Sequence, residues 1–565
     1  MNRRALLRSA LGYPTTETQT LEAQPLPIPE DAPLPPPNSG LAPYNGEWNR
    51  ATAAHLLRRA MYGPTFDQIE SARQAGLQGV IDQLLADLPT PDLPLNVNAL
   101  DTGVAVGETW VDTIMPRNDA RALEERRLSL RSWMMGLIVN EGVSIREKMT
   151  IFWLDHFVVE QFIIRDPTFM YKHVALMREY ATGDFRALVK KVTISPAMLR
   201  YLNGNENEKG APNENYAREL FELFTVGKGA LAGEGDYTTF TELDVEQAAK
   251  ALTGWKDEGY IKQRADIPTE GRFIPNRHDT STKQLSPRFN NARINNGGEN
   301  EYADLIDVIL ESPAVATYLA EKLYRYFVYY LITDEVREQI IEPLAQVIRD
   351  NNYNIKAALE VLLKSEHFFD ILNQGPMIKN PLDFVIGQVK QCEIDYPQDL
   401  ESQYRVWLKL YGESKKMQMQ IFDPPDVAGW KAYYQEPLYY RIWVNSVTLP
   451  LRSRSAELLS KNGYRIGSIR VRVDVLTFIE KTSDASDPNV LIGELAELFY
   501  PQPLNQLQLD ALKEVLIPGL PDFEWTVEYE EYKNNPNDAR LAASIEKKLR
   551  ELFVSMVAMA EYHLS

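Results

Sequence analysis

An all-α protein is what this sequence predicts: a large multi-helix globular body with few or no short strands, carried behind a proline-rich N-terminal arm. Three observations lead there. From Trp48 onward, apolar residues recur at the three- and four-residue spacing of helices. Residues suited to capping stand ahead of many of those runs. Period-two alternation is confined to IRVRVDVLTFI at 469–479, which reads as a strand or as the start of a helix.

Taken in order, MNRRALLRSALGY pairs Arg3 and Arg4 ahead of leucines, the outline of a twin-arginine export signal. Arg8 interrupts its apolar run and Pro14 ends it, so residues 1–13 read as a vestigial or uncleaved start. Residues 14–45 are too dense in proline for a helix or a central strand and read as an extended linker or arm. The body spans 46–450. Thr65 opens two short amphipathic helices separated by a glycine, and 121–140 forms a longer helix. Ser144 and Glu147 have the spacing of a capping box ahead of an apolar, buried helix. Asp184 and Asp244 stand as caps for the next two, the second paired with Gln247. LYRYFVYYLI (323–332) reads as a buried helix segment, too short to span a membrane. Residues 257–300, rich in Asn, Arg, Gly and Asp, read as a long loop, a feature that compact proteins often use functionally. Helical periods fill most of 301–372 and 381–420, and a mostly helical region, 451–565, packs on the body.

Bulk properties narrow the function classes. The 565 residues carry a net charge of −19, which opposes general nucleic-acid binding. The single cysteine, Cys392, excludes disulfides within the chain and cysteine-based zinc sites, and six dispersed histidines do not suggest a His-rich centre. The glycine and histidine signatures of serine hydrolases, P-loop enzymes, dinucleotide enzymes and zinc peptidases are absent.

Most chemistry is concentrated in PNENYARELFELFTVG (212–227). Pro212 and Gly227 bracket a helix whose Tyr216, Leu220, Leu223 and Phe224 share one face. Glu214, Arg218, Glu219 and Glu222 share the other and are candidate catalytic residues. Asn213 and Asn215 in the first turn are candidate ligand-binding amides. An exposed ladder of i,i+4 ion pairs explains the same spacing. In the preceding loop, Asn203, Asn205, Asn207 and Glu214 echo the positions of a calcium loop, though glutamate stands where that loop needs glycine. RHDTSTKQL supplies His278, Asp279 and Lys283 as candidate acid–base and oxyanion-steadying groups. His156 in LDHF is a candidate base if it faces the polar helix, and Trp255 and Trp430 are candidate pocket residues.

Several stretches together resemble a bacterial family of unknown function, numbered eighteen hundred (DUF-1800). They are HLLRRAMYGPT (55–65), REKMTIFWLDHF (146–157), the 195–229 segment containing NENYARELFELFTVG, YTTFTELDVEQAAKALTGW (237–255), RHDTSTK (277–283) and FDPPDVAGW (422–430). The resemblance spans roughly 50–450 and continues weakly beyond. It implies no activity. It does imply an exported or periplasmic location, with the cytoplasm as the alternative, and a partner similar to the alkaline-phosphatase superfamily. The expectation is a polar site where the Glu214 helix and the His278 loop meet, acting on a glycan or on a phosphate or sulfate ester, with calcium a candidate cofactor. The alternative is a non-catalytic scaffold or partner subunit.

Overall fold

A computed structural model describes residues 39–467 and 469–565, so the twin-arginine outline and most of the proline-rich arm lie outside the described residues. Among the described residues the protein is mostly helical, and strands occur only as four two-stranded antiparallel pairs. No described helix is long and apolar enough to cross a membrane.

The described chain begins by docking on the body: Tyr44 donates its amide to the Lys364 carbonyl, and the Glu366 amide donates to Ala42. Thr65 and Gln68 form a capping box that opens Phe66–Leu84, and Gly76, at φ 74°, breaks that helix in two as its glycine implied. Asp184 caps Phe185–Thr193.

Two caps differ from their sequence reading. Ile145, not Ser144, precedes Arg146–His156, and no capping box forms there. The Glu147 amide instead donates to Glu141 and its carboxylate takes Arg178 at 2.6 Å, because both acids are buried and need a cation more than the helix end needs a cap. The Glu242–Ala251 helix is opened by Thr241, with Asp244 as the acidic member of the box. Gln247 is thereby freed to accept from the Gln284 amide.

Inside the 257–300 loop, Trp255–Asp257 pairs with Gly271–Phe273, and Lys283–Gln284 pairs with Arg293–Ile294. The 469–479 stretch divides: Ile469–Val471 is a strand paired with Tyr464–Ile466, and Val475–Phe478 is helical. Pro313–Phe327 ends before the tyrosine pair of LYRYFVYYLI, which continues buried but not helical. The C-terminal residues return to the body, where Leu564 pairs with Ile378 and Lys379 donates to the Tyr562 carbonyl. Cys392 lies buried just past the Pro381–Gln391 helix.

Candidate functional site

The polar helix begins at Asn215 and is α-helical through Glu219, then widens into a π-turn over Leu220–Phe224. Its last turn is closed by the Thr225 hydroxyl on the Leu220 carbonyl (2.5 Å) and by the Gly227 amide on the Phe221 carbonyl (3.0 Å). Gly227 has φ 74°, and a Cβ there would lie 2.9 Å from the Tyr318 ring. The wider turn rotates Phe221 into the core beside Tyr216, Leu220 and Phe224, and leaves Leu223 only partly buried. The regular helical period that put Leu223 on the inner face therefore fails in its last turn.

On the outer face, Arg218 forks onto Glu242 of the neighbouring helix, at 2.6 and 2.7 Å, and reaches Glu214 at 3.2 Å. Glu222 pairs with Lys228 at 2.7 Å rather than with Arg218. Among the described residues Glu219 makes no ion pair. Burial, then the neighbouring Glu222 and Asp426, push its carboxyl up to about 7, against the pull of Arg218 and Lys228. Close by, the Tyr201 hydroxyl donates to Glu160 at 2.9 Å and stands within the fields of Asp426 and Glu219. Phe162, 76% exposed, follows Glu160 by two residues, and its amide donates to Asp423. The result is an acidic, aromatic-edged face in which one carboxylic acid can stay protonated near neutrality. Glu160, Asp426 and Tyr201 were not among the residues expected from sequence. No spacing signals them, since they come from three separate segments.

His156 does face this helix, at its C-terminal end, but both ring nitrogens are occupied. Nε2 donates to the Phe224 carbonyl at 3.0 Å, which leaves Nδ1 to accept from Lys322 at 3.0 Å. Burial, then Lys322, hold its pKa well below the ordinary imidazole value. Asp155 is raised by burial and held back by Lys322, and it accepts the Trp430 amide at 2.6 Å. FDPPDVAGW thus closes onto LDHF. At Gly429, φ 91°, a Cβ would lie 2.1 Å from the Asp155 carboxylate. Trp430 itself is buried, and Trp255 packs on Phe273 and Tyr302.

The His278 loop lies across the Glu242–Ala251 helix but turns its groups inward. Lys283 and Glu301 are wholly buried and paired at 2.5 Å, and His278 reaches the other Glu301 oxygen at 2.9 Å. Asp279 caps its own turn by accepting the Ser281 amide. None of these three expected residues bonds to Glu214, Arg218, Glu219 or Glu222. The 203–214 loop is likewise engaged internally: Asn205 donates to Asp257, Asn207 donates to the Ala249 carbonyl and accepts the Asn213 amide, and Asn203 sits in a left-handed turn. The Asn213 side chain accepts the Asn215 amide, while the Asn215 side chain is exposed. Among the described residues, no group of three or more His, Cys, Asp or Glu side chains is placed to hold a metal ion.

The segments that build this arrangement are the ones on which the family resemblance rests. The sequence pattern described as "Protein of unknown function (DUF1800)" matches residues 55–524. The chain belongs to this family. The DUF1800 match extends past the polar helix, the His278 loop and FDPPDVAGW into the C-terminal region. Neither the curated proteins nor the solved structures return a match.

Proposed function

We propose that this DUF1800 protein binds and hydrolyses a polar, uncharged substrate, a glycan, at the face around Glu219. The observation that carries the reading is Glu219 itself: a half-buried carboxyl that pairs with no cation among the described residues, beside Glu222 and Asp426 and within the field of the Tyr201 hydroxyl. Glu219 donates its proton to the glycosidic oxygen, and Glu222 or Asp426 draws a proton from the attacking water. Phosphate and sulfate esters fit less well, because Arg218 and Lys228 are already committed to Glu242 and Glu222. An exported location belongs to the same proposal, since that is where structural glycans are met.

The test is turnover of defined oligosaccharides by the wild type and by Glu219→Gln. Hydrolysis that the variant loses, while it melts at or above the wild-type temperature, supports the reading. A panel that yields neither binding nor turnover in the wild type overturns it. The fully engaged Arg218 fork favours a second reading, a scaffold or partner subunit of an alkaline-phosphatase-like protein. Under that reading Glu219→Gln alters stability and nothing else.

A further inference from the structure

Away from the Glu219 face, a cleft of about 570 Å³ runs between residues 88–95, the Ala120–Asn140 helix and the Leu400–Lys416 helix. Past Trp133 and Arg178 it adjoins a second cavity of about 420 Å³ beneath Asp87–Pro91, toward Tyr171 and Arg146. Both sizes fall within the range of small-ligand sites. Gly136 shapes the first: a Cβ there would strike the Trp407 ring at 2.7 Å, so glycine lets the indole lie against the helix.

The walls hold more polar capacity than the protein uses. Glu147 takes Arg178 through one oxygen and leaves the other without a partner, and Glu141 has an unpartnered oxygen as well. The Trp407 indole nitrogen has no acceptor. Arg178 is nine-tenths buried, and among the described residues only its Nε is bonded, its two terminal nitrogens donating to no protein oxygen. Buried donors and acceptors left this way carry a desolvation cost that a ligand can relieve. Acidic groups outnumber basic ones on the first wall: Asp92, Glu141 and Glu147 stand against Arg178, and Lys390, off that wall, donates its ammonium to the Glu141 carbonyl. A phosphate would meet the two carboxylates, and a bare hydrocarbon would leave every one of these groups unsatisfied. Aromatic faces beside carboxyl and guanidinium groups suit a molecule with apolar C–H faces and a rim of hydroxyls.

We propose that this cleft is a saccharide-binding site, with Trp133 and Trp407 packing on sugar rings and Arg178, Glu141 and Glu147 bonding their hydroxyls. It does not depend on catalysis at Glu219. The test is calorimetric titration of the full chain with soluble tetrasaccharides of glucose, xylose and N-acetylglucosamine, and with choline as an organic-cation control. We expect a saturable oligosaccharide site, separate from any at the Glu219 face, that Trp133→Ala weakens by about tenfold or more. Trp407→Phe, which keeps a six-membered ring but removes the pyrrole part of the indole with its N–H, and Gln403→Ala at the cleft wall should weaken it less. Because these variants differ in how far they disturb the core, melting curves confirm folding for each. Binding lost in Glu219→Gln but kept in all three cleft variants overturns the proposal, as does binding of choline alone or of none of the probes.

Discussion

At the scale of single residues, Glu219 makes the sharpest claim. Its carboxyl rises from 4.5 to about 7 on folding, so across that window the folded state holds a proton that the unfolded state has released. Stability contributed at this position is therefore intact below 4.5 and falls as the pH climbs toward 7. Glu219→Gln should melt with the wild type at pH 4 and above it at pH 8, by on the order of 1–2 kcal/mol after allowance for solvent screening. Melting curves at the two pH values check this, and equal curves at pH 8 would remove the raised acid. The same proton sets the expected activity profile, since a proton donor at this position fails as the pH rises above about 7. His156 shows the contrary case. A histidine beside a polar helix looks like a base in sequence, yet Lys322 and the Phe224 carbonyl occupy both of its nitrogens.

At the scale of elements, the contact between LDHF and FDPPDVAGW rests on a left-handed glycine. Gly429→Ala must move the turn off Asp155, breaking the bond to the Trp430 amide and leaving a buried carboxylate short of a donor. The expected loss is on the order of 3 kcal/mol, read by chemical denaturation. Asp155→Asn, which retains an oxygen for that amide, should cost less. Local order was legible wherever it depends on neighbours in the chain: Thr65 and Asp184 cap as expected, and Gly76 breaks its helix. It was illegible where distant groups compete. Glu147 leaves its expected cap because Arg178, 31 residues on, offers a buried counter-charge. The inward turn of Lys283 depends on Glu301, which no motif pairs with it. The π-turn under Glu222 has no marker in composition, so Phe221 and Leu223 exchange roles unannounced. The polar helix could be picked out from its spacing, but its acidic neighbours Glu160 and Asp426 are joined to it only by folding.

At the scale of the molecule, helical periodicity sufficed for the fold class, while the strand pairs inside 257–300 are too short to alternate visibly. The body and its C-terminal region share buried contacts, with Leu564 paired to Ile378, Lys379 donating to the Tyr562 carbonyl and Gln388 donating to the Ala456 carbonyl. Cys392 sits among these joined parts. Burial, then Glu393, hold its thiol far above the ordinary range, so the reactive thiolate is scarce and sheltered in the folded state. With no second cysteine to confuse the signal, this one atom is a clock built into the chain. Under iodoacetamide its rate of alkylation should not exceed the rate of whole-molecule unfolding measured by circular dichroism, and should reach it where alkylation outpaces refolding. Much faster capture would mean that the region around residue 392 breathes open alone while the rest of the protein keeps time.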